Sequence, residues 1–168
     1  MWQASERELF EAMAESQARI RREYARLLSM VSEAESRGLA KSAGYATLPH
    51  VLVDVLRVRP GEAKRYVEQA LAVTPARLIS GGELAASLPA TGAAARDGEL
   101  DRDHIAVIHK HVRDLPGWVK GDQRATFEQS LVEQARTGHA GAVDRFGTAL
   151  RARLDQDGKP PTDREWVE

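Results

Sequence analysis

The chain has 168 residues and a mass of 18.5 kDa, the size of one globular domain. Its 24 basic and 25 acidic side chains leave a net charge of −1, so no overall basic field indicates a nucleic-acid partner. The absence of cysteine excludes disulfides, thiolate nucleophiles, zinc–thiolate sites and iron–sulfur centres. No apolar run approaches the ~20 residues of a membrane span and no secretory leader opens the chain, so we expect a soluble cytoplasmic protein with no membrane partner.

The first predicted element is a helix of unusual length, from Ser5 to Glu35. Ser5 followed by Glu8 is a capping-box pattern for its start. Some thirty residues make a rod of about 45 Å, longer than a compact domain of this size requires. We therefore expect one part of the helix to pack on the rest of the chain and another part to form a homodimer contact. Its apolar stripe consists of Leu9, Met13, Ile20, Tyr24, Leu27, Leu28 and Val31.

Proline and glycine divide the remaining sequence into segments of helical length, which predicts an all-α multi-helix bundle. The predicted helices cover residues 47–56, 60–73, 84–96, 101–114, 122–136 and 141–154, with Asp101 and Asp122 as N-caps and a short helical turn at 75–79. As domains, we predict a long N-terminal helix and candidate dimerisation element at 1–40, a helical core domain at 41–157 and a linker or tail at 158–168.

The stretch from Val51 to Ala70 has the layout of a helix-turn-helix hairpin. The predicted inner face consists of Leu52, Val55, Leu56, Val58, Ala63, Val67 and Ala70. In a DNA-binding protein of this kind, the outward side chains of the second helix contact base edges in the major groove.

Double-stranded DNA is the partner that this hairpin favours, through five candidate residues. Arg65 and Gln69 would contact bases and Arg57 and Arg59 would contact phosphates, with Lys64 on the same helix. The alternative is an ordinary helical hairpin, since Lys64 has Glu68 four residues later and the segment carries four basic against three acidic side chains.

A second basic face lies on the first helix, where Arg19, Arg22 and Arg26 share one side. The alternative interpretation of this face is a solvated surface paired with Glu15 and Glu23.

No catalytic residue, metal site or cofactor is predicted. His104 and His111 share a helix face but His109 points elsewhere, so the three cannot hold one ion and are predicted to be surface or boundary histidines. The acidic run of Asp97, Glu99, Asp101 and Asp103 is not predicted to bind calcium, because no twelve-residue loop with a final bidentate glutamate follows, and helix capping and the helix dipole explain Asp101 and Asp103. The pattern G-x-S-x-G is absent as well.

Several spaced motifs follow one another along the chain: Gly44-Tyr45, Leu52 to Leu56, the run Val58-Arg59-Pro60-Gly61-Glu62-Ala63, Val67 to Leu71, Leu88-Pro89, Gly98-Glu99-Leu100, His104, Leu115-Pro116 and Leu154-Asp155-x-Asp157-Gly158. Their order resembles the actinobacterial domain of unknown function known as the 13E12 repeat family. The resemblance extends from Gly44 to Gly158, and it implies a helical domain that precedes an HNH endonuclease domain.

No HNH residue can be carried over onto this chain, because it contains neither asparagine nor cysteine. We therefore expect a non-catalytic N-terminal domain that binds or positions DNA for a nuclease elsewhere in a longer protein. The alternative is a helical interaction or homodimerisation module without DNA contact. A self-contained hydrolase that uses the histidines is the third and weakest hypothesis.

Overall fold

The structure, a computed structural model, describes residues 5–77 and 82–157. It is an all-α bundle with one short antiparallel hairpin of two-residue strands among the described residues. In this hairpin, Ala76 pairs with Leu84 and Arg77 pairs with Glu83. The elements are α1 (Glu6–Ser36), α2 (Leu39–Ser42), α3 (Leu48–Leu56), α4 (Pro60–Val73), β1 (Ala76–Arg77), β2 (Glu83–Leu84), α5 (Pro89–Arg96), α6 (Arg102–Arg113), α7 (Asp122–Thr137) and α8 (Ala140–Asp157).

The predicted long helix is confirmed as α1, including its start. The Ser5 hydroxyl accepts a hydrogen bond from the Glu8 amide, and the Glu8 carboxylate accepts one from the Ser5 amide at 2.7 Å. Both donors are among the four amides that a helix start leaves without a partner, so the reciprocal bonds define where α1 begins.

One hydrophobic core joins all the larger helices. α1 packs on α4 and α5, α3 packs on α4, and α8 packs on α6 and α7. The largest fully buried apolar side chains are Leu28, Leu88, Leu100, Ile105, Ile108, Leu131, Val112, Val132 and Val143. Since Leu28 of α1 belongs to this core, the body of the protein begins within α1 and not after residue 40.

Two local predictions differ from the structure. Residues 76–77 and 83–84 form the short hairpin where a helical turn and a helix start were expected, and α5 begins only at Pro89, whose fixed φ and missing amide suit the first turn of a helix. Asp122 is the first residue of α7 and not its N-cap, which is Gly121. Residues 78–81 and the predicted tail at 158–168 lie outside the described residues.

Within residues 5–77 and 82–157, no helix combines the length and the apolar character that crossing a bilayer requires.

Candidate nucleic-acid interface

The α3–α4 hairpin presents four basic side chains to solvent. Arg57 ends α3 in the left-handed conformation with φ 54°, and Arg59 is the extended N-cap of α4. Pro60 then occupies the first turn of α4, where its missing amide costs no hydrogen bond. Lys64 and Arg65 follow on the exposed side of α4. The hairpin therefore places cations at both ends of a three-residue turn and on the helix that follows it.

None of these four cations lies within 4.0 Å of a carboxylate oxygen in the part of the chain that the structure describes. Lys64 does not contact Glu68, and Glu62 instead pairs with Arg102 at 3.2 Å. Asp54, the nearest acid on α3, accepts a hydrogen bond from the Tyr45 hydroxyl at 2.8 Å. The local acids are thus partly engaged elsewhere, which leaves the four cations available to an anionic partner.

Gln69 does not belong to this surface, and the prediction that it reads a base is wrong. Its side chain is 1% exposed. The amide oxygen accepts a 2.6 Å hydrogen bond from the Tyr24 hydroxyl, and the amide nitrogen donates at 2.9 Å to the carbonyl oxygen of Arg102. Both polar atoms of Gln69 are therefore used to join α1, α4 and α6. Burial also raises the pKa of Tyr24, which keeps its hydroxyl protonated as the donor of this bond.

The apolar side of the hairpin follows the prediction with one exception. Leu52, Ala63 and Ala70 are buried, and Leu56, Val58 and Val67 are partly buried against the core. Val55 is 68% exposed and does not contribute to the inner face. The reason is that α3 packs on α4 along one side, so Val55 on the other side remains in solvent.

The second basic face, on α1, is exposed as a unit. Arg19, Arg22 and Arg26 all lie at the surface, and none forms an ion pair within the described residues. Arg21 points the other way: its guanidinium donates to the Glu99 carbonyl oxygen at 3.1 Å and lies 3.7 Å from Asp101. Arg21 is therefore structural, whereas Arg19, Arg22 and Arg26 have no ionic partner among the residues that the structure describes.

A crevice of about 370 Å³ opens where α1 leaves the body of the protein. Its aromatic wall is formed by Tyr24 and Tyr66, whose ring centroids are 5.7 Å apart. The complete lining consists of Gln17, Ile20, Arg21, Tyr24, Tyr66, Asp101, Arg102 and Asp103. Sequence reasoning did not find this feature, because its residues come from three helices that are distant in the chain.

The histidines of α6 serve as structural contacts. His104 and His111 are 4% and 1% exposed, so the prediction of surface or boundary positions is wrong for both. The Nε2 atom of His104 lies 2.9 Å from the Gly138 carbonyl oxygen, and Nε2 of His111 lies 2.8 Å from the Asp144 carboxylate. His109 is half-buried, and this burial lowers its pKa. In the described part of the chain, no three His, Asp or Glu side chains converge as metal ligands would.

A further buried carboxylate was not predicted. Glu128 of α7 is 3% exposed and accepts hydrogen bonds from the amide of Thr91 at 2.7 Å and from its hydroxyl at 2.8 Å. These donors lie in the first turn of α5, where an anion is favoured by the helix dipole. The contact explains Glu128 as a structural cap, so it is not a catalytic candidate.

The comparisons with known proteins find uncharacterized mycobacterial relatives. An uncharacterized protein of Mycobacterium tuberculosis, Rv1945, is 28% identical over 151 residues, which is 90% of this chain and 33% of the relative. The Mycobacterium bovis protein Mb1179c matches to the same extent. A second M. tuberculosis protein, Rv1128c, is 32% identical over 107 residues, 64% of this chain and 24% of the relative. The chain thus spans a third or less of the length of these relatives.

No solved structure matches the chain. A family model described as "Domain of unknown function (DUF222)" matches residues 10–166, which include all of the body and most of α1. The resemblance to a domain of unknown function is confirmed at this level, with relatives from mycobacteria. The chain therefore belongs to the DUF222 family.

Proposed function

We propose that this chain is a non-catalytic helical domain that binds DNA through the α3–α4 hairpin and positions it for another part of a longer protein. The observation that supports the proposal is the exposed set of Arg57, Arg59, Lys64 and Arg65, which form no ion pair within residues 5–77 and 82–157. Phosphate contacts supply most of the free energy of non-specific DNA binding and require cations that are free of internal partners.

The link to a nuclease rests on the resemblance to the 13E12 repeat family and on the length of the mycobacterial relatives. The relatives extend well beyond the segment that this chain matches, so they have room for further domains. An HNH centre in such a domain would break the phosphodiester bond, and the helical domain would hold the duplex.

We expect fluorescence polarisation with a labelled duplex to show salt-dependent binding. If four cations neutralise four phosphates, the slope of log K against log salt is about −3.6 between about 50 and 200 mM salt. The double variant Lys64→Glu/Arg65→Glu removes two phosphate contacts and adds repulsion. We therefore expect the magnitude of the slope to fall by about 1.8 and binding to weaken on every DNA sequence.

Lys120→Glu/Arg145→Glu is the matched control, because Lys120 and Arg145 are exposed, unpaired within the described residues and located on the α7–α8 side of the bundle. The proposal fails if the wild-type chain does not bind duplex at about 50 mM salt. It also fails if the control and the hairpin variant lose affinity equally.

Self-association through α1 is a second candidate function, supported by a different observation. Leu9, Phe10, Met13 and Ile20 are 45–67% exposed on the first half of the helix. An exposed apolar surface of this kind marks an interaction site in soluble proteins. Light scattering of the full chain over a range of concentrations tests it, since a monomer throughout would exclude pairing.

A further inference from the structure

We propose that the first four turns of α1 pair in antiparallel orientation with the same segment of a second copy, and that the partner's Phe10 fills the crevice beside Tyr24 and Tyr66. This inference rests on the proposed self-association through α1 and adds the orientation of the two helices and the site that each provides for the other.

Seven apolar side chains of α1 follow a seven-residue repeat, which is the pattern of a helix that packs lengthwise on one other helix, while Leu9, Leu28 and Met30 lie outside it. Gln17 is the one polar residue in the first of the two series, and a single polar residue at such a position commonly sets the register of a pair. The two series are Phe10, Gln17, Tyr24 and Val31, and Met13, Ile20, Leu27 and Ala34.

The repeat is covered by the body of the protein only in its second half. Val31 is 3% exposed, whereas Phe10 is 67% and Met13 60% exposed. Every residue from Ser5 to Gln17 is exposed, so this part of the helix is not packed into the body, although Gln17 lines the crevice. A helix of about 12–15 residues is only marginally stable in water by itself. The free half of α1 therefore needs a covering surface.

A second copy provides that surface, because the stripe can pack on itself. The positions that flank it in the free half include Ala14 and Ser16, which are small enough for two helices to approach closely. The acidic side chains Glu8, Glu11 and Glu15 lie on the opposite side of the helix and stay in solvent. A two-fold pair thus keeps these three carboxylates in solvent, and Glu6, which lies on the stripe, falls at the end of the overlap.

The position of the body selects the antiparallel orientation. The body covers the stripe from Tyr24 onward. In a parallel pair, residues 24–34 of the second copy would lie along this same covered stretch, which is already filled. In an antiparallel pair centred near residue 15, residues 5–25 of the two copies overlap, so the paired stretch ends where the body begins to cover the stripe, and the two bodies lie at opposite ends.

In this arrangement, position 10 of one copy lies level with position 20 of the other. Ile20 is at the mouth of the crevice, whose aromatic wall consists of Tyr24 and Tyr66. The crevice volume of about 370 Å³ is sufficient for a phenyl ring. The partner's Phe10 would therefore enter the crevice, with Arg102 and Asp103 on its rim. Because the overlap is short, the interface lies at the small end of the range for specific complexes, and we expect micromolar self-association.

Disulfide cross-linking tests the orientation directly, because the chain has no cysteine of its own. We expect an oxidised mixture of the Phe10→Cys and Ile20→Cys variants to form covalent heterodimers. Each variant alone should remain uncross-linked, because identical positions are offset by about 15 Å along the axis in the antiparallel pair. A parallel pair would give the reverse result, with each variant cross-linking to itself, and would overturn the inference while leaving self-association intact.

Sedimentation of uncross-linked variants provides the second measurement. We expect Met13→Glu to weaken self-association at least ten-fold and Val55→Glu, which places the same charge at a comparably exposed valine on α3, to leave it unchanged. An equal loss of self-association in the Met13→Glu and Val55→Glu variants would overturn the assignment of the interface to α1. A wild-type chain that stays monomeric at every concentration would overturn the proposed self-association itself.

Discussion

At the level of single residues, buried polar side chains hold the helices in their relative positions. Gln69, Glu128 and His111 are each less than 4% exposed and bonded to another helix. Because an unsatisfied buried polar group costs roughly 1–3 kcal/mol, each such contact restricts the ways in which two helices can pack. Contacts of this kind explain why Gln69, which was predicted to contact a base, is instead part of the interior.

Close backbone approach is a second residue-level constraint, and it yields a prediction for Gly92. A Cβ atom at this position would lie 2.2 Å from the Val73 carbonyl oxygen. Since both groups belong to backbone that cannot easily move, we expect Gly92→Ala to lower the free energy of unfolding by about 1–3 kcal/mol. Urea denaturation followed by circular dichroism measures the change.

Gly61→Ala is the matched control. Gly61 is also helical, and a Cβ atom there would have no neighbour within 4 Å. We expect this variant to be unchanged or stabilised by about 0.5–1 kcal/mol, because alanine is the better helix former. If Gly92→Ala were as stable as Gly61→Ala, the close contact between α4 and α5 would be disproved.

At the level of elements, the start of α6 shows how one carboxylate joins three parts of the fold. Asp101 accepts hydrogen bonds from the amides of Asp103 and His104 and lies 3.7 Å from Arg21 of α1. Burial would raise the pKa of Asp101, but the hydrogen bonds and charge of His104 outweigh it and lower the pKa below the ordinary 3.8.

The lowered pKa of Asp101 predicts a pH-dependent contribution to stability. A carboxyl group with a depressed pKa in the folded state stabilises the fold above its unfolded pKa and loses this contribution as the pH falls through its folded pKa. We expect Asp101→Asn to be about 1 kcal/mol less stable than wild type at neutral pH, with the difference closing as the pH falls from about 4 toward 2.

Urea titrations of both proteins at several pH values measure this difference. Asparagine remains a good N-cap, so the comparison isolates the charge of Asp101, and the other carboxylates titrate equally in both proteins. A stability difference that stays constant from neutral to acidic pH would contradict the prediction.

At the level of the whole molecule, the structure divides α1 into a free half and a half that completes the core. Removal of residues 1–17 should change the free energy of unfolding by less than about 0.5 kcal/mol, since every described residue in that segment is exposed. Removal of residues 1–40 should unfold the chain, because Ala25, Leu28 and Val31 would leave the core.

Circular dichroism and urea denaturation of both truncated proteins test this division at protein concentrations low enough to prevent self-association. A cooperatively folded protein without residues 1–40 would show that α1 is an addition to an independent domain. Marked destabilisation by removal of residues 1–17 would show instead that the free half supports the body.

Local signals in the sequence predicted most elements, because caps and breakers act within a few residues. Ser5 and Glu8 start α1, Pro60 starts α4, and Asp101 caps α6, each as expected. The pairing of residues 76–77 with residues 83–84 was missed, since two-residue strands have no period that a pattern can reveal. The exposure of Arg57, Arg59, Lys64 and Arg65 agrees with their place in the predicted turn and on the outer face of the predicted helix, while their contact with DNA remains a proposal.

The sequence by itself therefore determined the helical class of the protein, the limits of its main helices and the existence of a long apolar stripe on α1. Only the tertiary structure decided which part of each face is covered. Gln69 is buried through contacts with Tyr24 and Arg102, and Arg21 is turned inward by Glu99, 78 residues away in the chain. Periodicity states which side chains share a face, but burial depends on neighbours that are distant in sequence, and those neighbours are known only once the helices have packed.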